Sequence, residues 1–163
     1  VESGSERILD YLGRPMKKRL VGDSFRYCQH QRIRTTASFI IGSPSESEET
    51  LEETLEFAKK LKSDYVLFNI LTPHKGTEIY NRSIERDLLK PYEVDLERYS
   101  QEPIGIPMID NINGINREEI NDWKMKMYKN YYLRSKYVFQ QLRRVRSPKD
   151  LLKLIKIIVT YSK

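Results

Sequence analysis

Two short, nearly continuous apolar runs organise the first half of the chain, at residues 35–42 and 64–72. Both are rich in β-branched and aromatic side chains and too short for buried helices. They predict parallel strands covered on both faces. Between them, over residues 47–61, Leu51, Thr54, Leu55, Ala58 and Leu61 recur at helical spacing, while Glu48, Glu49, Glu52, Glu53, Glu56, Lys59 and Lys60 take the opposite face. Acids crowd the first turns of this helix and lysines the last, as the helix dipole favours. Ser45, three residues before Glu48, predicts a capping box. Strand, helix and strand at this spacing make a βαβ unit with a parallel sheet and a right-handed crossover.

Upstream, residues 5–12 and 17–31 predict helices, the second burying Val21, Phe25 and Cys28. The opening Val1-Glu2-Ser3-Gly4 reads as the end of a strand. The expected fold class is therefore α/β, with parallel strands alternating with helices, about half of a barrel or open sheet. Such a half sheet would expose an apolar edge, which leads to the expectation of a fragment of a longer protein. After Ile84 the pattern changes. Residues 87–116 contain Pro91, Pro103, Gly105, Pro107 and Gly114 without a sustained period and read as a loop. Residues 117–146 predict one long helix, and Ser147-Pro148-Lys149-Asp150 opens a last one with a cap, a first-turn proline and an early acid. The expected division is 1–90 for the half barrel and 91–163 for a loop and basic helical extension.

Charge sharpens this division. The chain carries net +6, yet 13 of its 29 basic and only 4 of its 23 acidic residues lie in 117–163, so that segment is +9 and the rest −3. The basicity belongs to one segment and not to the whole surface. Within 148–162, seven aliphatic residues and three lysines form an amphipathic basic helix. It suits packing on the parent protein better than a membrane surface or nucleic acid, and no nucleic-acid partner is expected. Cys28 is the single cysteine, which excludes a disulfide framework and a cysteine-rich metal site within the chain. It also suits a reducing compartment, and no apolar run approaches the length of a spanning helix, so a cytoplasmic protein is expected.

The candidate chemistry sits where parallel strands end, since ligands of α/β sheets collect at their carboxyl ends. Glu2 could accept hydrogen bonds from an amine or from ribose hydroxyls, or serve only as a helix-start acid beside Ser3 and Ser5. Gly42, closing the run Phe39-Ile40-Ile41, would let a ligand approach the backbone. His74 and Lys75 follow the second strand and are candidate substrate contacts, although such a pair in a loop is usually just solvated. His74 and His30 are too far apart in sequence to make a metal site alone. No nucleophile triad, phosphate-binding glycine loop or dinucleotide fingerprint occurs.

Three strings resemble one family. Glu2-Ser3-Gly4-Ser5 with Ile8-Leu9-Asp10-Tyr11-Leu12-Gly13-Arg14, Ile40-Ile41-Gly42-Ser43-Pro44-Ser45-Glu46 and Thr72-Pro73-His74-Lys75-Gly76-Thr77 are similar to successive segments of radical S-adenosylmethionine enzymes. The tail, from Met127 to Tyr137 and from Ser147 to Leu152, resembles the cobalamin-binding branch that includes the anaerobic magnesium-protoporphyrin IX monomethyl ester oxidative cyclases. The resemblance implies the C-terminal half of a partial TIM-like barrel and an oxidoreductase of which this chain, lacking the cluster cysteines, would be inactive alone and hold no catalytic residue. It implies S-adenosylmethionine as cofactor, with a 4Fe-4S cluster and cobalamin held outside this chain. A missing N-terminal half and a small-molecule substrate of tetrapyrrole type would be the partners. Glu2, with Ser3 beside it, would bind the ribose or methionine moiety and Arg14 the methionine carboxylate. Ser38, Ile40 and Gly42 would line the adenine and ribose site, and Leu71 would contact the adenine. Ser45 and Ser38 depart from the family pattern, which leaves their roles open. The rival readings are a radical methylthiotransferase acting on tRNA or ribosomal protein and, from another class, a basic helical nucleic-acid-binding module.

Overall fold

The computed structural model describes residues 1–88 and 114–162. In chain order its elements are α1 (Glu6–Tyr11), α2 (Lys18–His30), β1 (Thr36–Ile41), α3 (Glu48–Leu61), β2 (Tyr65–Ile70), α4 (Glu78–Glu85), α5 (Arg117–Tyr132), α6 (Ser135–Leu142) and α7 (Pro148–Ser162). The class is mixed α/β. β1 and β2 pair in parallel from Thr36–Tyr65 to Ile41–Ile70, with α3 as the crossover, so the βαβ unit read from the hydrophobic pattern is present. The described residues form this two-stranded sheet and one isolated parallel bridge from Glu2 to Phe39, and no barrel. Most of the loop expected at 87–116 lies outside the described residues.

Alternation along the strands decides which face is packed. Ala37, Phe39 and Ile41 of β1 and Val66, Phe68 and Ile70 of β2 are buried, and they meet Leu51, Leu55, Ala58 and Leu61 of α3 and Ile120, Met127 and Tyr131 of α5. Phe39 and Phe68 stack at 5.6 Å in the middle of this layer. Burial of such side chains contributes about 1.5–3 kcal/mol each. The opposite face carries Ser38, Ile40, Leu67 and Asn69, with Leu67 46% exposed. The expectation of strands covered on both faces is therefore corrected: within the described residues the sheet is covered on one side. Asn69 and Ser38 are the polar breaks in the apolar runs that mark the open face.

Tyrosines finish the outer edge of β2. Odd-numbered residues of β2 turn their backbone groups towards β1, as in the bond from the Tyr65 amide to the Thr35 carbonyl. The even-numbered ones face away and are met by side chains of α5. The Val66 amide donates to Tyr132 Oη at 2.9 Å, and that hydroxyl donates to the Val66 carbonyl at 3.0 Å. The Phe68 amide donates to Tyr128 Oη at 3.0 Å. Tyr131 and Tyr137 donate to the carbonyls of Ser63 and Asp64 at 2.7 and 3.0 Å. Tyr128, Tyr132 and Tyr161 of α7 stack on one another with centroids 5.0 to 6.1 Å apart. Burial pushes the hydroxyls of Tyr128, Tyr131, Tyr132 and Tyr137 above their ordinary range, so they remain protonated donors.

The helix expected across 117–146 is two helices. Arg134 takes extended backbone, ψ 136°, between α5 and α6. The bend brings Tyr137 back to Asp64 at the start of β2, a tertiary reward that helix propensity does not encode. Near the start of the chain Gly4 packs against α3. A Cβ there would lie 2.6 Å from the Glu53 carbonyl oxygen, so no other residue fits without displacing the helix.

Candidate functional site

The carboxyl end of β1 runs directly into a tight loop. Gly42 has φ +80°, a conformation open to glycine at little cost. The loop is fastened from inside by Glu46, which is 1% exposed. Its Oε2 accepts the Gly42 amide at 3.1 Å and its Oε1 is hydrogen-bonded to Thr50 Oγ1. Burial raises the Glu46 carboxyl to about 7, against the lowering effect of the bonds from Thr50, Gly42 and Ser43 and of the nearby Arg7 charge. When protonated, Glu46 can donate to Thr50 Oγ1, whose own hydrogen then serves the Ser47 carbonyl at 2.9 Å.

The N-cap of α3 is Ser47, in a capping box with Thr50, and not the expected Ser45. Ser45 instead turns its amide to Ser43 Oγ at 3.3 Å. Arg7 Nη2 donates to Ser47 Oγ at 2.7 Å and ties α1 to this loop.

Glu2 lies along the outer edge of β1, opposite β2. Its amide donates to the Ser38 carbonyl at 3.2 Å and its carbonyl accepts the Ile40 amide at 2.7 Å. Glu2 also has φ +69°, left-handed backbone that costs a non-glycine residue about 1–3 kcal/mol. Ser3 is buried, its hydroxyl shared with Thr54 Oγ1 at 3.0 Å and accepting the Ser5 amide at 3.1 Å. Ser38 Oγ accepts from Asn69 Nδ2 at 2.9 Å on the open face of the sheet. Ile40 is half-buried beside it, and Leu71 closes the end of β2 with its amide on the Ile41 carbonyl at 2.8 Å.

The structure thus brings Glu2, Ser38, Ile40, Gly42 and Leu71 to β1 and the adjoining carboxyl end of β2. Arg14 is exposed beyond α1, after Gly13 at φ +63°. His74 and Lys75 are exposed in the turn before α4, where the His74 carbonyl accepts the Thr77 amide and hydroxyl. Among the described residues no hydrogen bond or ion pair joins the side chains of these three to the cluster at β1.

Two residues of the site escaped sequence reasoning. Asn69 was detectable as the polar position inside an apolar run. Glu46 was not, because a loop glutamate four residues after a glycine carries no mark of burial. The open face combines apolar surface from Ile40 and Leu67 with a polar Ser38–Asn69 pair, and Glu46 lies buried beneath the adjoining loop. Beside this face stands a strand end whose glycine is buried, its amide held by Glu46. Among the described residues no three His, Cys, Asp or Glu side chains gather into a metal site, and no helix is long and apolar enough to cross a membrane.

No protein-family model matches the chain. It is 31% identical over 142 residues to a protein of Pyrococcus horikoshii named an uncharacterized methyltransferase, a match that covers 87% of this chain. The chain spans 30% of that relative's length. This relative overturns the resemblance to the cobalamin-binding branch of radical S-adenosylmethionine enzymes. The oxidative cyclase function goes with it. The iron–sulfur and cobalamin expectations fall too. The physical reason is visible in the loops. Glycine at positive φ in Gly42 and Gly76, and a Thr cap at Thr77 opening α4, are demands of strand-to-helix turns in general. Strings that satisfy those demands look alike without sharing a chemistry.

Proposed function

We propose that this chain is part of an S-adenosylmethionine-dependent methyltransferase and contributes its methyl-donor face at the carboxyl ends of β1 and β2. The relationship to the Pyrococcus methyltransferase across 87% of the chain carries this reading. The chemistry of the face is compatible with an adenosine group. Ile40 and Leu67 offer apolar surface to a purine, while Ser38, Asn69 and the half-buried Glu2 offer hydrogen bonds suited to ribose hydroxyls.

S-adenosylmethionine supplies a sulfonium-bound methyl group open to attack by a nucleophile. The protein's own share is orientation. Glu46 fastens the loop under Gly42 from within and, being buried, holds the backbone in place without reaching a substrate. Glu2 is kept in strained backbone at the sheet edge, and stored strain of this kind belongs where a side chain must be aimed. Arg14, His74 and Lys75 are exposed candidates for the methionine carboxylate and the methyl acceptor.

Equilibrium dialysis of the chain against tritiated S-adenosylmethionine tests the proposal. Saturable retention, displaced by S-adenosylhomocysteine and lost in Gly42→Val, is expected. No retention, or retention that Gly42→Val leaves unchanged, would overturn it.

A further inference from the structure

Arginines gather at the other end of the sheet, where β1 begins. Arg32 and Arg34, in the link from α2 to β1, join Arg143, Arg144 and Arg146, in the link from α6 to α7, around one cavity of about 770 Å³. Gln29 completes its wall, and no carboxylate lines it. Two of the five guanidiniums are neutralised from the side: Arg34 pairs with Asp150 at 3.1 Å, and Arg144 pairs with the buried Asp64. Arg143 lies over the ring of Phe139 at 4.3 Å. Arg32 and Arg146 have no ion-pair partner among the described residues. The C-termini of α2 and α3 adjoin this end and favour nearby cations, by about 0.3–1 kcal/mol each. That accounts for a cation or two, and not for five arginines around one space.

A second cavity of about 660 Å³ shares Gln29, Arg143 and Arg144 with the first. Its walls include the side chains of Lys59, Lys60 and Lys62, the ring of Phe139, which is 57% exposed, and one carboxylate, Glu56, which pairs with Lys59 at 2.7 Å. The two spaces therefore differ in kind, one a guanidinium cage and the other apolar with a cationic rim.

We infer that this joined cleft binds an organic diphosphate, its phosphates held by Arg32, Arg143 and Arg146 and its organic body laid along Phe139. Guanidinium forks match phosphate oxygens two at a time, which favours arginine over lysine where phosphate geometry is read. Three arginines, with Glu56 of the adjoining cavity already paired to Lys59, suit the concentrated charge of two linked phosphates. One exposed aromatic ring beside them suits a single organic group.

Isothermal titration calorimetry of the chain with ADP, farnesyl diphosphate and inorganic pyrophosphate tests this. We expect one saturable site for ADP or farnesyl diphosphate, and the tighter of the two identifies the body as a nucleoside or an isoprenoid. Inorganic pyrophosphate should bind the same site more weakly. Arg32→Gln with Arg146→Gln should weaken binding by about tenfold or more. Phe139→Ala should weaken the organic diphosphates and leave pyrophosphate unchanged. Lys17→Gln with Arg19→Gln, the same charge change on exposed residues outside the cleft, should have no effect. Three results would overturn the inference: no binding of any probe, equal weakening by the two double variants, or binding of a single-stranded RNA oligonucleotide without binding of the diphosphates.

Discussion

The two outer edges of the sheet are finished by opposite means. Beyond β2, side chains do the work: hydroxyls of Tyr128 and Tyr132 take the backbone groups of Phe68 and Val66 that no strand occupies. Beyond β1, backbone does it, through the bridge to Glu2 at left-handed φ. The tyrosine edge is packed and stacked, whereas the Glu2 edge is half-open and held by two backbone bonds beside the candidate ligand face. Stability is concentrated at one edge and adaptable chemistry at the other, as expected where a rigid scaffold presents a working loop.

Substitutions can break this contrast in order of size. Tyr132→Phe strands the buried Val66 amide and carbonyl together and should cost about 2–4 kcal/mol, since each orphaned buried group costs about 1–3. Urea denaturation reads the loss, and faster exchange of the Val66 amide localises it. Glu46 comes next. Its carboxyl is raised in the folded protein to about 7 from 4.5, so the folded state holds a proton that the unfolded chain releases. The stability it contributes is complete below the unfolded value and lost as pH rises through about 7, on the order of 1–3 kcal/mol. Wild type should therefore lose more stability than Glu46→Gln between pH 5 and pH 8 in paired melts; parallel pH profiles would contradict this. Tyr128→Phe removes one partly buried bond and should cost about 1 kcal/mol by the same denaturation assay. Glu2→Gly should shift the midpoint least, within about 0.5 kcal/mol, because relieved strain offsets added freedom in the unfolded chain. It should nevertheless weaken retention of tritiated S-adenosylmethionine, which separates a strained ligand contact from a structural one.

Local pattern and tertiary placement were not equally readable in the sequence. The strands, α3 and the cap-led start of α7 follow from periodicity, because each buries its own apolar stripe. The covered face was overestimated because Val66 and Phe68, alternating with Leu67, make an apolar run whichever sides are packed. The break at Arg134 rewards a contact between Tyr137 and Asp64, 73 residues apart, which no local window contains. The same holds for the arginine cleft, whose cations are separate in sequence and meet only because α2 and α6 end at the same side of the sheet. Of the candidate site, Glu2 and Gly42 were placed at strand ends by the sequence pattern, whereas Leu71 came only from the resemblance. The buried role of Glu46 required the fold.

The hydroxyl cover on β2 also fixes how this sheet can grow. A β-sheet behaves as a template that recruits strands wherever an edge offers free donors and acceptors. Here one end of the template is terminated: an incoming strand at β2 would first have to strip Tyr132 and Tyr128 from the backbone and unstack them from Tyr161. Extension is directed to the side of β1, where among the described residues only the short Glu2 bridge stands in the way. The sheet is thus a seed with a single live end, guarded against fibre-like addition on one flank and open to an ordered partner strand on the other.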